Sequence, residues 1–100
     1  MITHTFSQTR PSTDVKFYGA VNKDKLAALR AYQAGNPHIT SLVETYSADG
    51  LTITTVITFA SAVEASAYFS GVPANVSSAF TTDRNQYCFS NGIILSHTVS

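Results

Sequence analysis

The segment from Ile39 to Ala60 constrains this chain more than any other, because two strand-like runs meet at Ala48-Asp49-Gly50 and helix-like segments stand on either side of them. Upstream, Asn22 is a good N-cap and Asp24 falls in the first turn, where a carboxylate complements the helix dipole. Leu26, Ala28, Leu29 and Tyr32 follow as an apolar stripe, so a helix is predicted from about Lys23 to Ala34. Gly35 ends it, and Asn36-Pro37 prevents continuation. Downstream, Ser61-Ala62-Val63-Glu64 has the capping-box pattern; Ala65, Tyr68 and Phe69 form the buried side of a second helix, and Gly71-Val72-Pro73 stops it.

Strands are expected at both ends of the chain. Ile2, His4, Phe6 and Gln8 alternate with Thr3, Thr5, Ser7 and Thr9, and Ile93, Leu95, His97 and Val99 share one side of a last strand. Arg10-Pro11-Ser12-Thr13-Asp14 interrupts the first strand, since Pro11 cannot donate to a ladder and the next three residues form turns; Val15 to Ala20 is left unassigned. Between Ala74 and Asn91 one or two short helices fit, with a cap at Thr81 or Thr82 and a terminator at Asn91-Gly92. The element order is therefore β-α-β-β-α-β over a single domain, residues 1–100.

The central hairpin fixes which side chains share a face. A three-residue loop, with Gly50 in the left-handed conformation, sets Ser47 opposite Leu51 and places Ile39 and Val43 with Ile53, Ile57 and Phe59 under the helices. Leu42, Glu44 and Tyr46 then share the helix-free face with Thr52, Thr54, Val56 and Thr58. The alternative two-residue turn would move Glu44 to the core face, where an unpaired carboxylate is costly, and the first register is preferred for that reason.

Composition narrows the function classes. Six basic and six acidic residues cancel, and no basic run occurs, which argues against a nucleic-acid or anionic-membrane surface. Charged residues make up only 12% of the chain, and Ser and Thr, about a quarter of it, must supply the polar surface. With little charge to keep copies apart, and one sheet face left poorly covered, self-association is expected. Cys88 is the single cysteine, so an intrachain disulfide and a cysteine-based metal cluster are both excluded. The start of the chain turns polar at once and no apolar run reaches bilayer length, so a soluble cytoplasmic protein is expected.

An antiparallel four-stranded sheet crossed on one face by helices in this order resembles the ferredoxin-like proteins. The extra helical segment before the last strand is similar to the dimeric α+β barrel group among them, which includes the antibiotic-biosynthesis monooxygenase-like proteins. That resemblance covers nearly the whole chain and rests on element order. It implies a homodimer in which two helix-free faces enclose a cavity. Thr9-Arg10-Pro11-Ser12-Thr13-Asp14-Val15-Lys16-Phe17-Tyr18 also resembles the start of uncharacterised marine phage and metagenomic proteins. No catalytic residue is carried over, because fold and chemistry separate readily. Cofactor-independent members of the group often line the cavity with Trp, His and Asn, whereas this chain has no Trp, and none of its three histidines matches a haem-degrading motif.

The reactive residues are few. His4 and His97 fall on neighbouring strands and His38 toward the same end of the sheet, which frames a metal or general-base hypothesis against the plainer reading of strand and loop histidines; no carboxylate spacing completes a cluster. Glu44 is the sharper candidate, a lone charge flanked by Leu42, Tyr46, Thr54 and Val56. These five residues are expected to form a ligand or dimer face. Cys88, between Tyr87 and Phe89, reads as a buried and inert thiol, with Arg84 one turn earlier as an influence toward a thiolate. The aromatic residues are spread as core rather than as a base-stacking platform. The expectation is a small binding or structural domain without metal or cofactor, dimeric through its open sheet face and able to hold a small molecule. The alternative is a cofactor-independent monooxygenase-like enzyme using Glu44 or a histidine as base.

Overall fold

The structure, a computed structural model, describes residues 1–17, 23–72 and 84–100. Its elements run β1 (Ile2–Thr9), α1 (Lys23–Gln33), β2 (Ser41–Tyr46), β3 (Thr52–Phe59), α2 (Ala62–Gly71) and β4 (Ile94–Val99), with residues 84–90 helical before the last strand. The strands form one antiparallel sheet in the order β2-β3-β1-β4, the ferredoxin-like arrangement. The proposed caps at Asn22 and at Thr81 or Thr82 lie outside the described residues.

Local chemistry accounts for the element ends. Ser61 caps α2 by accepting the Glu64 N–H through its hydroxyl at 3.4 Å. The reciprocal half of the capping box is replaced, because the Glu64 carboxylate lies 2.7 Å from His38 Nδ1. After residues 84–90, Gly92 takes φ +71 and the Ile93 N–H closes on the Cys88 carbonyl at 2.9 Å, the long bond of a Schellman motif.

The central hairpin differs from expectation by one residue. Ser47 pairs with Thr52, not Leu51, and the loop holds four residues, 48–51. Four interactions select it. The Gly50 N–H closes a turn on the Ser47 carbonyl at 2.9 Å. The Asp49 carboxylate accepts from the Ser47 hydroxyl at 2.6 Å and from the Leu51 N–H at 3.0 Å. The Leu51 carbonyl is already engaged, accepting the Arg10 N–H at 2.8 Å. Arg10 also clamps the turn by donating from Nε and Nη2 to the Gly50 carbonyl at 2.9 and 2.6 Å, while Nη1 reaches the Val15 carbonyl at 2.8 Å. Its guanidinium covers the Phe17 ring at 4.5 Å, which holds residues 10–17 against the hairpin.

A one-residue slip exchanges the faces of β2. Leu42 lies opposite Ile57, Glu44 opposite Thr55 and Tyr46 opposite Ile53, so all three belong to the helix-covered face; Val43, opposite Val56, belongs to the open one. Leu42, Glu44 and Tyr46 are therefore not on one face with Thr54 and Val56. The core is built on the helix side from Ile57, Phe59, Ala65 and Tyr68, with Phe6, Tyr32, Ile39 and Leu42 packed against it. The open face carries Thr3, Thr5, Ser7 and Thr9 from β1, Thr52, Thr54, Val56 and Thr58 from β3, and Ser96 and Thr98 from β4.

Candidate functional site

Between the sheet and the two helices lies a cavity of about 400 Å³. Phe6, Ile53, Ile57, Leu95, Leu26, Leu29, Tyr68 and Phe69 give it a mostly apolar wall, and Gln8, Arg30, Gln33, Glu44, Thr55, Arg84 and His97 supply its polar groups. This size and mixture suit a small-molecule pocket.

Gln8 is the most unusual member. It occupies the core side of β1, opposite Ile53 on β3 and Leu95 on β4, and is only 6% exposed. Its Oε1 finds no hydrogen-bond partner among the described residues. Leaving a buried carbonyl oxygen unmatched costs about 1–3 kcal/mol, so the position favours a donor brought in by a bound molecule. The signal was present in the alternation of β1, where Gln8 is a polar residue at a core position.

Tyr68 forms the opposite wall. Its hydroxyl accepts from Gln33 Nε2 at 3.0 Å, and its backbone carbonyl accepts from the Tyr32 hydroxyl at 2.7 Å. Burial pushes the Tyr68 phenol up, with the Gln33 bond acting in the other direction, so it stays a neutral hydroxyl at physiological pH.

Glu44 reaches this cavity instead of the open face. Its carboxylate stands 3.9 Å from the Arg30 guanidinium and its side chain is 30% exposed. The feared cost of a core-face carboxylate is avoided because β2 is an edge strand, the group remains partly solvated, and α1 provides an opposite charge. Tyr46 is 60% exposed, with its ring 6.2 Å from Phe17, and does not line the cavity.

His4 and His97 come together as the strand order allowed, with Nδ1 of His4 2.9 Å from Nε2 of His97. His97 stacks on Phe6 at 4.2 Å, and His4 is flanked by Phe59 and Phe69 at 5.6 and 5.0 Å. Partial burial, and secondarily the neighbouring His97, push the His4 imidazole below its usual range. His38 takes no part, being paired with Glu64. No cluster of three or more His, Cys, Asp or Glu suited to a metal ion occurs among the described residues. Cys88 is buried at 1% exposure, and its thiol is pushed up by burial against the opposing pull of Arg84. No helix among the described residues is long and apolar enough to cross a membrane.

No protein-family model matches the chain. No curated protein matches it in sequence either, so the likeness of the opening segment to phage and metagenomic proteins has no sequence support. Solved structures do match. SnoaB, a cofactor-independent oxygenase from Streptomyces nogalater solved as a point mutant, aligns with TM-score 0.65 and 10% identity over 99% of this chain and 89% of that one. A candidate antibiotic biosynthesis monooxygenase from Deinococcus radiodurans aligns with TM-score 0.56 and 9% identity over 100% of this chain and 90% of that one. A dimeric ferredoxin-like protein from an uncultured marine organism aligns with TM-score 0.53 and 8% identity over 99% and 91%. These likenesses establish the ferredoxin-like α+β fold.

Proposed function

We propose that this protein binds a small, largely apolar molecule within each protomer, in the cavity between the sheet and the helices, and not in a cavity enclosed by two sheet faces. The carrying observation is Gln8, a buried acceptor without a hydrogen-bond partner among the described residues, beside the apolar part of the cavity wall. The ligand has a flat or narrow apolar body that packs between Phe6 and Tyr68 and a hydroxyl or amine that donates to Gln8 Oε1. Arg30 and Glu44 stand at the polar side of the same cavity and accept a second polar group. The open sheet face, rich in Thr and free of charged residues among those described, is the surface through which two copies associate, an arrangement supported by the fold likeness to a dimeric protein.

A panel of small phenols and aromatic amines tested by protein NMR checks the reading. Binders move the side-chain amide signals of Gln8 and Gln33, and Gln8→Leu loses about tenfold or more in affinity because one buried hydrogen bond is gone. A panel that leaves the Gln8 signal unmoved, or a Gln8→Leu protein that binds as well as the parent, refutes it.

A second reading, a cofactor-independent oxygenase working in this cavity, is favoured by the fold likeness to SnoaB and by His97 in the cavity wall. Oxygen uptake that scales with protein concentration in the presence of a binder supports it. Binding without uptake leaves the binding protein.

A further inference from the structure

A second recess, also of about 400 Å³ and more open to solvent than the first cavity, adjoins it at Phe69, which lines both spaces. His97 belongs to the wall of the first cavity and His4 to that of the second. The 2.9 Å contact between His4 Nδ1 and His97 Nε2 therefore joins the two. We propose that these imidazoles form a proton path through which a molecule in the cavity exchanges its acidic proton with water in the recess, and this rests on the cavity reading above.

The geometry limits the protonation states. A hydrogen bond between two ring nitrogens needs a proton on one and a lone pair on the other, so the pair carries at most one positive charge while the bond stands. The path starts from the tautomers in which His97 Nε2–H donates to His4 Nδ1. That leaves Nδ1 of His97 as the free base and Nε2 of His4 as the remaining N–H. Transfer then runs in three linked steps. The ligand proton passes to His97 Nδ1, the Nε2 proton passes to His4 Nδ1, and the His4 Nε2 proton passes to water. The ligand keeps the electron pair and becomes its conjugate base; no oxidant or reductant is involved. The reverse sequence restores the first tautomers.

The surroundings favour transfer over trapping of charge. Phe6, Phe59 and Phe69 pack around the rings, and the ion pairs among the described residues, Arg30 with Glu44 and His38 with Glu64, involve neither imidazole. The groups facing His97 across the cavity are Arg30, Arg84, Glu44 and the neutral Tyr68, and those lining the recess beside His4 carry no charge. A cation is thus not fixed on either ring, and the preference of His4 for its neutral form agrees with a role in passing a proton on.

The test uses 4-nitrophenol, whose ionisation is visible by absorbance. Binding is followed by the Gln8 amide signal, and proton exchange by temperature-jump relaxation of the bound probe. His4→Phe keeps the ring contacts and the affinity but slows relaxation by about a hundredfold. In His4→Ala, added free imidazole restores part of the rate, which a merely structural role of His4 would not produce. Intact binding with unchanged relaxation in both variants overturns the path and leaves the cavity reading in place. A parent protein in which 4-nitrophenol does not move the Gln8 signal removes the cavity reading and the path with it.

Discussion

The two faces of this sheet are made by the same strands and have opposite chemistry. On the helix side stand Phe6, Gln8, Ile53, Ile57 and Phe59; on the open side, at the alternate positions, stand Thr5, Ser7, Thr52, Thr54 and Thr58. Among the described residues, the first face buries an unmatched polar atom, Gln8 Oε1, beside a cavity, and the second spreads many small hydroxyls over a surface without formal charge. Partly buried polar groups stand on the first, where reduced solvation strengthens each polar contact. The second is suited to association, since threonines pack in sheets and bring no charge to desolvate.

The difference is sharpest in stability. Phe59 is fully buried at the centre of the helix-side core, so Phe59→Ala is expected to cost about 3–5 kcal/mol in chemical denaturation, whereas Thr58→Ala, its neighbour on the open face, costs about 0.5 kcal/mol or less in the monomer. Similar costs for the two would mean that the open face is as tightly packed as the core.

Within the helix layer a smaller contrast isolates one contact. A Cβ added at Gly71 would lie 2.5 Å from the Tyr32 hydroxyl, the group that donates to the Tyr68 carbonyl. Gly71→Ala is therefore expected to destabilise by about 1–3 kcal/mol through overpacking. Tyr32→Phe removes the obstructing oxygen, so the double variant should be more stable than the sum of the single effects requires, a coupling measured by a double-mutant cycle. Strict additivity would show that the helices shift apart instead.

Oligomeric state separates the faces in another way. Val56→Glu puts a carboxylate in the middle of the open face, directly across from Val43, and is expected to convert a dimer to monomer in sedimentation experiments. Glu44→Gln, on the covered face, should leave the assembly unchanged. A dimer that survives Val56→Glu but fails with Glu44→Gln would reverse the assignment of the faces.

Much of this architecture was legible in the chain. The period-two alternation of Ile2, His4, Phe6 and Gln8 against Thr3, Thr5, Ser7 and Thr9, the Ser61 cap and the Gly92 terminator each specify a local geometry that the tertiary structure keeps. The hairpin register was not legible, because it is set by Arg10, forty residues before Gly50, and by Asp49 bonding its own turn. That single displaced residue carried Glu44 from the open face to the cavity, and with it the expected location of the site. The pairing of His4 with His97 followed from strand order. Its link to two cavities did not, since the second cavity depends on how α2 lies across β1.

The smallest expected effects concern acid, and they again set one face against an exposed turn. The Ser47 hydroxyl, and then the Leu51 N–H, hold the Asp49 carboxyl below its usual range. A depressed carboxyl pKa contributes stability that is fully present above the ordinary value near 3.8 and is lost as pH falls through the folded value. His4 is also depressed, but as a base, so the folded protein binds fewer protons than the unfolded chain below the usual 6.5. Its contribution is present above that value and declines as pH falls toward the folded pKa. Stability should therefore fall on acidification in two separate windows, the upper one from His4 and the lower from Asp49. His4→Phe should flatten only the upper window and Asp49→Asn only the lower, as read from denaturation midpoints across pH. A parent protein whose midpoint rises between pH 6.5 and the lower window would contradict the burial of His4 against Phe59 and Phe69.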